Sequence, residues 1–222
     1  MRIATITAVA LLLTSCGSSG NLLDQYPLDN QTLAVVVTVP ESPVGRAVKA
    51  DSWSDSHEPA RVPVTNPVVS RREHIQLQDQ LDEALLRIDT AQLLSLYALE
   101  QSAQLLDVET TEVAEEAGLV LDVKLRLLDA EAAQSRAHIW MDATGEARLI
   151  DRATGRIVWH MPLNTTPRRT TDMQNPAVSV LLTDASTRTD EELISLLDRL
   201  CDVFAQYIVR QLERDYEAAA SS

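Results

Sequence analysis

Apolar and polar positions alternate most regularly in LVLDVKLRLL, where Leu119, Leu121, Val123, Leu125 and Leu127 take one parity and Asp122, Lys124 and Arg126 the other. After a loop the parity returns. Ala137, Ile139, Met141, Ala143, Ala147 and Leu149 lie on the apolar side, with His138, Trp140, Asp142, Glu146 and Arg148 opposite. It holds a third time in Ile157, Trp159, Met161 and Leu163. Three such segments predict an antiparallel meander with one apolar face. Its last two strands are joined at Asp151-Arg152-Ala153-Thr154-Gly155, where Asp and Gly supply turn chemistry.

Elsewhere the period is helical. Leu77, Leu81, Leu85 and Ile88 recur at helical spacing, and Ala91 to Leu106 continues in strong helix formers without a β-branched residue, as two helices or one bent one. A short helix is predicted over Thr110 to Ala117, with Gly118 as its C-cap. The last helix, about Asp190 to Arg214, carries Leu193, Leu197, Leu200, Phe204, Ile208 and Leu212 on one side, and Thr189 with Glu192 makes a capping box. The β-branched run Thr32 to Val39 reads as a fully buried strand. Residues 40–70 hold five of the nine prolines and read as a long loop; Ala177 to Leu182 is a short apolar piece, and 217–222 a fraying tail. The elements predict a single α/β (α+β) domain over 32–216. It is a two-layer sandwich whose mixed sheet of about four strands includes the three-strand meander, with helices packed on one face.

The chain opens differently. Arg2 precedes an uncharged run, Ile3 to Leu13, too short to cross a bilayer as a helix. Leu13-Thr14-Ser15-Cys16 resembles the bacterial lipobox. The resemblance implies that residues 1–15 are a cleaved signal peptide and that Cys16 becomes the first residue, its thiol carrying a diacylglyceryl group. Residues 16–31, rich in Ser, Gly and Asn near their start, then read as a lipidated tether. By the sorting rule of families that use this signal, Gly17 and Ser18 in place of an aspartate imply the outer membrane, facing the periplasm.

With 19 basic against 33 acidic residues and a formal net charge of -14, the chain offers no footprint for nucleic acid and no polybasic grip on anionic lipid. The membrane partnership is therefore expected through the lipid on Cys16. Of the two cysteines, Cys201 falls on the apolar side of the last helix and reads as a small hydrophobe. The four histidines, His57, His74, His138 and His160, have no metal-ligand spacing, although His138 and His160 share the polar parity of the meander. The carboxylates Glu109, Glu112, Glu115 and Glu116 read as a solvated face, and no phosphate loop, dinucleotide fingerprint or nucleophile elbow is present. Neither cofactor nor metal is expected.

AEEAGLVLDVKLRLLDA and ARLIDRATGRIVWHM resemble segments of the α/β domain of curli-secretion lipoproteins and the amino-terminal domain of the Tol translocation protein, over roughly Ala84 to Leu163. The chain departs from that pattern in its proline-rich loop, and in helix formers where a strand follows the first helix. The resemblance implies a place in the cell envelope. For a recognition surface the candidates are Trp140 with Lys124, Arg126, His138 and Arg148 on the polar face, and Trp53 in the proline-rich loop. A symmetric loop about Ala132 would set Lys124 and Arg126 opposite Trp140 and His138. The expected function is a non-enzymatic, lipid-anchored accessory or docking subunit of an envelope transport, secretion or assembly complex, with a protein partner. A lipid- or glycan-binding module is the alternative, and a hydrolase a third reading.

Overall fold

The computed structural model describes residues 21–23, 26–28, 30–40, 44–48, 71–133, 138–165, 179–181 and 189–221, with 44–48, 71–78, 131–133, 138, 140 and 179–181 described by backbone alone. The meander is its centre. β4 (Leu119–Ala133) pairs antiparallel with β5 (His138–Asp151), and β5 with β6 (Arg156–Asn164). On the far side of β4, β1 (Thr32–Thr38) and β2 (Val44–Val48) pair with it in parallel, β1 along Leu119 to Lys124 and β2 along Asp129 to Ala133. β3 (Glu109–Thr110) adds in parallel to β1, and β7 (Ser179–Leu181) pairs with β5 at His138 to Trp140. The seven strands form one mixed sheet whose main path is β3-β1-β4-β5-β6.

The turn between β5 and β6 follows its sequence. Asp151 Oδ1 accepts from the Thr154 N–H at 3.1 Å, the Gly155 N–H donates to the Asp151 carbonyl at 2.8 Å, and Gly155 sits at φ 69°, where a side chain is strained.

Three helices cover one face. α1 (Arg71–Arg87) lies on β2, α2 (Thr90–Leu106) on β1, and α3 (Asp190–Ala220) against both helices and across β5 and β7. The first two are separate because Asp89 caps α2, its Oδ1 accepting from the Gln92 N–H at 2.9 Å. The capping box of α3 is complete: Thr189 Oγ1 accepts from the Glu192 N–H, and the Glu192 carboxylate accepts from the Thr189 N–H. The α3 stripe from Leu193 to Leu212 packs on Leu33, Leu121, Ile139, Leu149 and Trp159 in one core. At its far end the Trp159 Nε1–H donates to Asp215 Oδ2 at 2.8 Å, so the buried indole keeps a partner. Cys201 is fully buried in this core, and burial, with the charge of Asp198, pushes its thiol up to about 12.

Several expectations are corrected. The β4–β5 register shifts between Leu125 and Leu127, so the inward set is Leu119, Leu121, Val123, Leu125 and then Leu128 and Ala130, while Leu127 turns outward. A second shift at Leu149/Ile150 puts Ile157 on the outer face, 42 % exposed, with Val158 buried instead. Thr110 to Ala117 is not a helix, because backbone bonds to β1 win: the Thr111 N–H donates to the Leu33 carbonyl and the Gly118 N–H to that of Thr32. β1 is buried at Leu33 and Ala34 but open at Val36. The proline-rich segment contains β2, and α3 continues to Ala220 with Ala219 against the core, so 217–220 is helical. The expected tether gives way to packed chain at Asn21, whose Nδ2 donates to the Asp215 carbonyl. The Leu22 N–H donates to the Val158 carbonyl, and Leu23 is buried. The expected signal peptide and Cys16 lie outside the described residues.

Candidate functional site

The outer face of the sheet was the expected recognition surface, and the register divides it. Lys124 stands opposite Glu146, Asp122 opposite Arg148, and Arg148 opposite His160. Arg126 is exposed at the bulge. Trp140 stands between Glu131 and Ser179, and His138 opposite Leu181. Lys124 and Arg126 are therefore not opposite Trp140 and His138: six residues of β5, about 20 Å, separate the Glu146 row from Trp140. His138 and His160, which share the polar parity, are not cross-strand neighbours: His160 stands opposite Arg148 and His138 opposite Leu181. Ala132 pairs with Ile139, so the two strands are not symmetric about Ala132. The side chains of His138 and Trp140, and all of Trp53, lie outside what the structure describes.

Lys124 and Arg148 do come together, and each meets a carboxylate. Lys124 Nζ is 3.1 Å from Asp122 Oδ2, Arg148 Nη2 is 2.7 Å from Glu146 Oε1, and His160 Nε2 is 3.4 Å from Glu146 Oε2. The two cations are thus matched by two anions, and the strip carries little net field for an anionic ligand. Further along the face, Asp129 and Asp142 share one register pair and are almost fully buried.

A second feature was missed by sequence reasoning. α2 and α3 run in parallel, joined by Tyr97 Oη–H to Asp198 Oδ1 at 2.9 Å and Gln101 Nε2–H to Asp202 Oδ1 at 2.8 Å. The first of these bonds, then desolvation and the charges of Asp198 and Asp202, push the Tyr97 phenol up to about 12. Beyond Tyr97 the helix tips leave a groove of about 480 Å³ lined by Ile88, Leu93 and Ile194, with Asp89, Glu191 and Asp198 around it. Leu96 of α2 is 56 % exposed and Leu86 of α1 85 %. The signal was present in the sequence: α2 has apolar residues at 93, 94, 96, 99, 105 and 106, more than one buried stripe accommodates. Gln92 and Ser195 complete the lining, so the groove presents apolar side chains beside carboxylates.

No family model matches the chain and no curated protein matches it, so the resemblance to curli-secretion and Tol domains gains no support. Among solved structures it is similar to a protein described as a neuraminyllactose-binding hemagglutinin homolog from Helicobacter pylori, at 10% identity and a TM-score of 0.35 over 89% of this chain and 94% of that one. It is also similar to a Xanthomonas campestris protein of the family DUF330, at 10% identity and a TM-score of 0.39 over 86% and 88% of the two chains. At such values no ligand or partner of either neighbour is carried over to this chain.

Proposed function

We propose that this chain is a lipid-anchored, non-enzymatic protein of the bacterial envelope, held on the periplasmic face of the outer membrane by Cys16 and serving as a docking subunit of a transport, secretion or assembly complex. The observation that carries the reading is the opening of the chain: Arg2, an uncharged run of subspanning length, and Leu13-Thr14-Ser15-Cys16. The body supports it by its geometry. Asn21, the first described residue, is packed on the body, and the five residues from Cys16 reach no further than about 18 Å. An acyl anchor on Cys16 thus holds the Asn21–Asp215 end of the body close to the bilayer. Several acyl chains, at about 0.8 kcal/mol per buried CH₂, suffice for an acidic body that anionic lipid does not attract.

The test is intact mass and membrane fractionation of the chain expressed in a bacterium beside Cys16→Ala. The expected wild-type mass begins at Cys16 with added acyl chains and travels with outer membranes, whereas the variant is unprocessed or soluble. A soluble, unacylated wild type overturns the anchor.

A further inference from the structure

We infer that the groove between the first turns of α2 and α3 is the docking site, and that its occupant is a basic amphipathic segment of a protein partner. The inference rests on the docking reading above but not on the lipid anchor.

The apolar floor comes first. Ile88, Leu93 and Ile194 are half-buried in the groove, and one turn beyond Gln92 the side chain of Leu96 stands in solvent. Leu96 and Leu86 are the two most exposed large hydrophobic residues among those described, and Leu96 shares α2 with the floor residue Leu93. Such a floor between two helix tips suits an occupant that presents apolar side chains at helical spacing.

Charge then selects the kind of occupant. Asp89, Glu191 and Asp198 rim the groove, and no Lys or Arg lines it among the described residues. Part of that charge is committed: Asp89 caps α2, Asp198 accepts from Tyr97, and beside the rim Asp190 pairs with Arg87 at 3.6 Å. The Glu191 carboxylate has no hydrogen bond or ion pair among the described residues and stands exposed at the rim. An acidic rim favours a cationic counterpart and repels phosphate or an anionic headgroup. A second copy of this chain, itself at -14, is disfavoured by the same field. Apolar anchors flanked by Lys or Arg are what remains.

The experiment pans a phage-displayed library of random 12-residue peptides against the intact chain in detergent, then measures the enriched peptide, synthesised with a fluorophore, by anisotropy. Binding is compared among wild type, Glu191→Lys and Leu96→Ser, two exposed positions, with thermal melting as the control for folding. The expected winners carry net positive charge and apolar residues three and four apart. Their Kd should rise about tenfold on Glu191→Lys and several-fold on Leu96→Ser, while melting falls by no more than the roughly 2–4 °C that a cation in the first turn of α3 costs. Three outcomes overturn the inference: no enrichment, winners that are neutral or acidic, or winners that bind both variants as tightly as wild type. Because none depends on Cys16, failure here is separable from failure of the anchor.

Discussion

Gly145 stands in β5 opposite Leu125, at the step where the β4–β5 register slips, and the two backbones approach there as closely as glycine allows. A Cβ placed on Gly145 would overlap the Lys124 carbonyl oxygen and lie 3.0 Å from Leu125 Cα. Neither obstacle is a side chain that can rotate away. Both belong to β4, which is held between β1 and β5 by its ladder bonds, so relief requires the strand to retreat and some of those bonds to lengthen. Overpacking of this kind costs about 1–3 kcal/mol, and the upper end applies because the obstacle is backbone. For a domain of this size about 3 kcal/mol lowers the Tm by roughly 6–12 °C. The assay is thermal and urea unfolding by circular dichroism of Gly145→Ala beside Gly155→Ala. At Gly155 nothing lies within 4 Å of the added methyl, but φ is +69°, so only the left-handed backbone penalises it, by about 1 kcal/mol. A Gly145→Ala variant that melts with wild type, or loses no more than Gly155→Ala, refutes the close approach and with it the bulge that sets the outer face.

Three further outcomes are expected. With its thiol buried and pushed up to about 12, Cys201 should not react with Ellman's reagent at pH 8 in the native protein. In guanidinium it should be the one reactive thiol if Cys16 is a thioether, and two reactive thiols would contradict acylation. The Tyr97 phenol, raised from 10.0 to about 12, contributes stability that is full below pH 10 and lost as pH rises through 12. Tyr26 is also raised, by burial and Asp151, so absorbance at 295 nm should show a late ionisation whose amplitude falls by one tyrosine in Tyr97→Phe, and an unchanged amplitude there would disprove the assignment. Thr189→Ala should cost about 1 kcal/mol in urea unfolding and Thr189→Ser little, because a hydroxyl at that position holds the Glu192 N–H; equal losses would place the effect outside the cap.

Where a signal was local, it survived folding. The stripe of α3, its capping box and the Asp151–Gly155 turn depend on neighbours within a few residues, and each is present in the structure as expected. What could not be read was decided by chain far away in sequence. Thr111 and Gly118 sit among helix formers, yet their N–H groups go to carbonyls of β1, some 80 residues earlier. Leu127 keeps the alternation alive by eye, whereas the register slips because Gly145 lets β5 come close to β4. The hairpin centre was displaced because Glu131, Ala132 and Ala133 have weak strand propensity yet continue β4, paired with β2 and β5. That displacement separated Lys124 from Trp140. The groove depends on where α3 packs along α2, which the pattern of either helix alone does not show.

The parallel pairing of β1 with β4 gives the molecule a direction. A chain that leaves the carboxyl end of β1 must cross back before entering β4 beside it, and the returning element is α2, whose last turn leads through β3 to the amino end of β4. The first turn of α2 therefore lies at the carboxyl end of β1, beside the middle of β4, which runs on past it in parallel with β2 to Ala133. α3 runs alongside α2 and brings its own first turn to the same end, which closes the groove. Its last turns run the other way, to Trp159 and to the Asn21 contact with Asp215. Seventeen residues of helix separate Asp198 from Asp215, about 26 Å. Were the chain anchored through Cys16 as proposed, the groove would lie at the end of this stretch of α3 farther from the bilayer than the Asn21 contact.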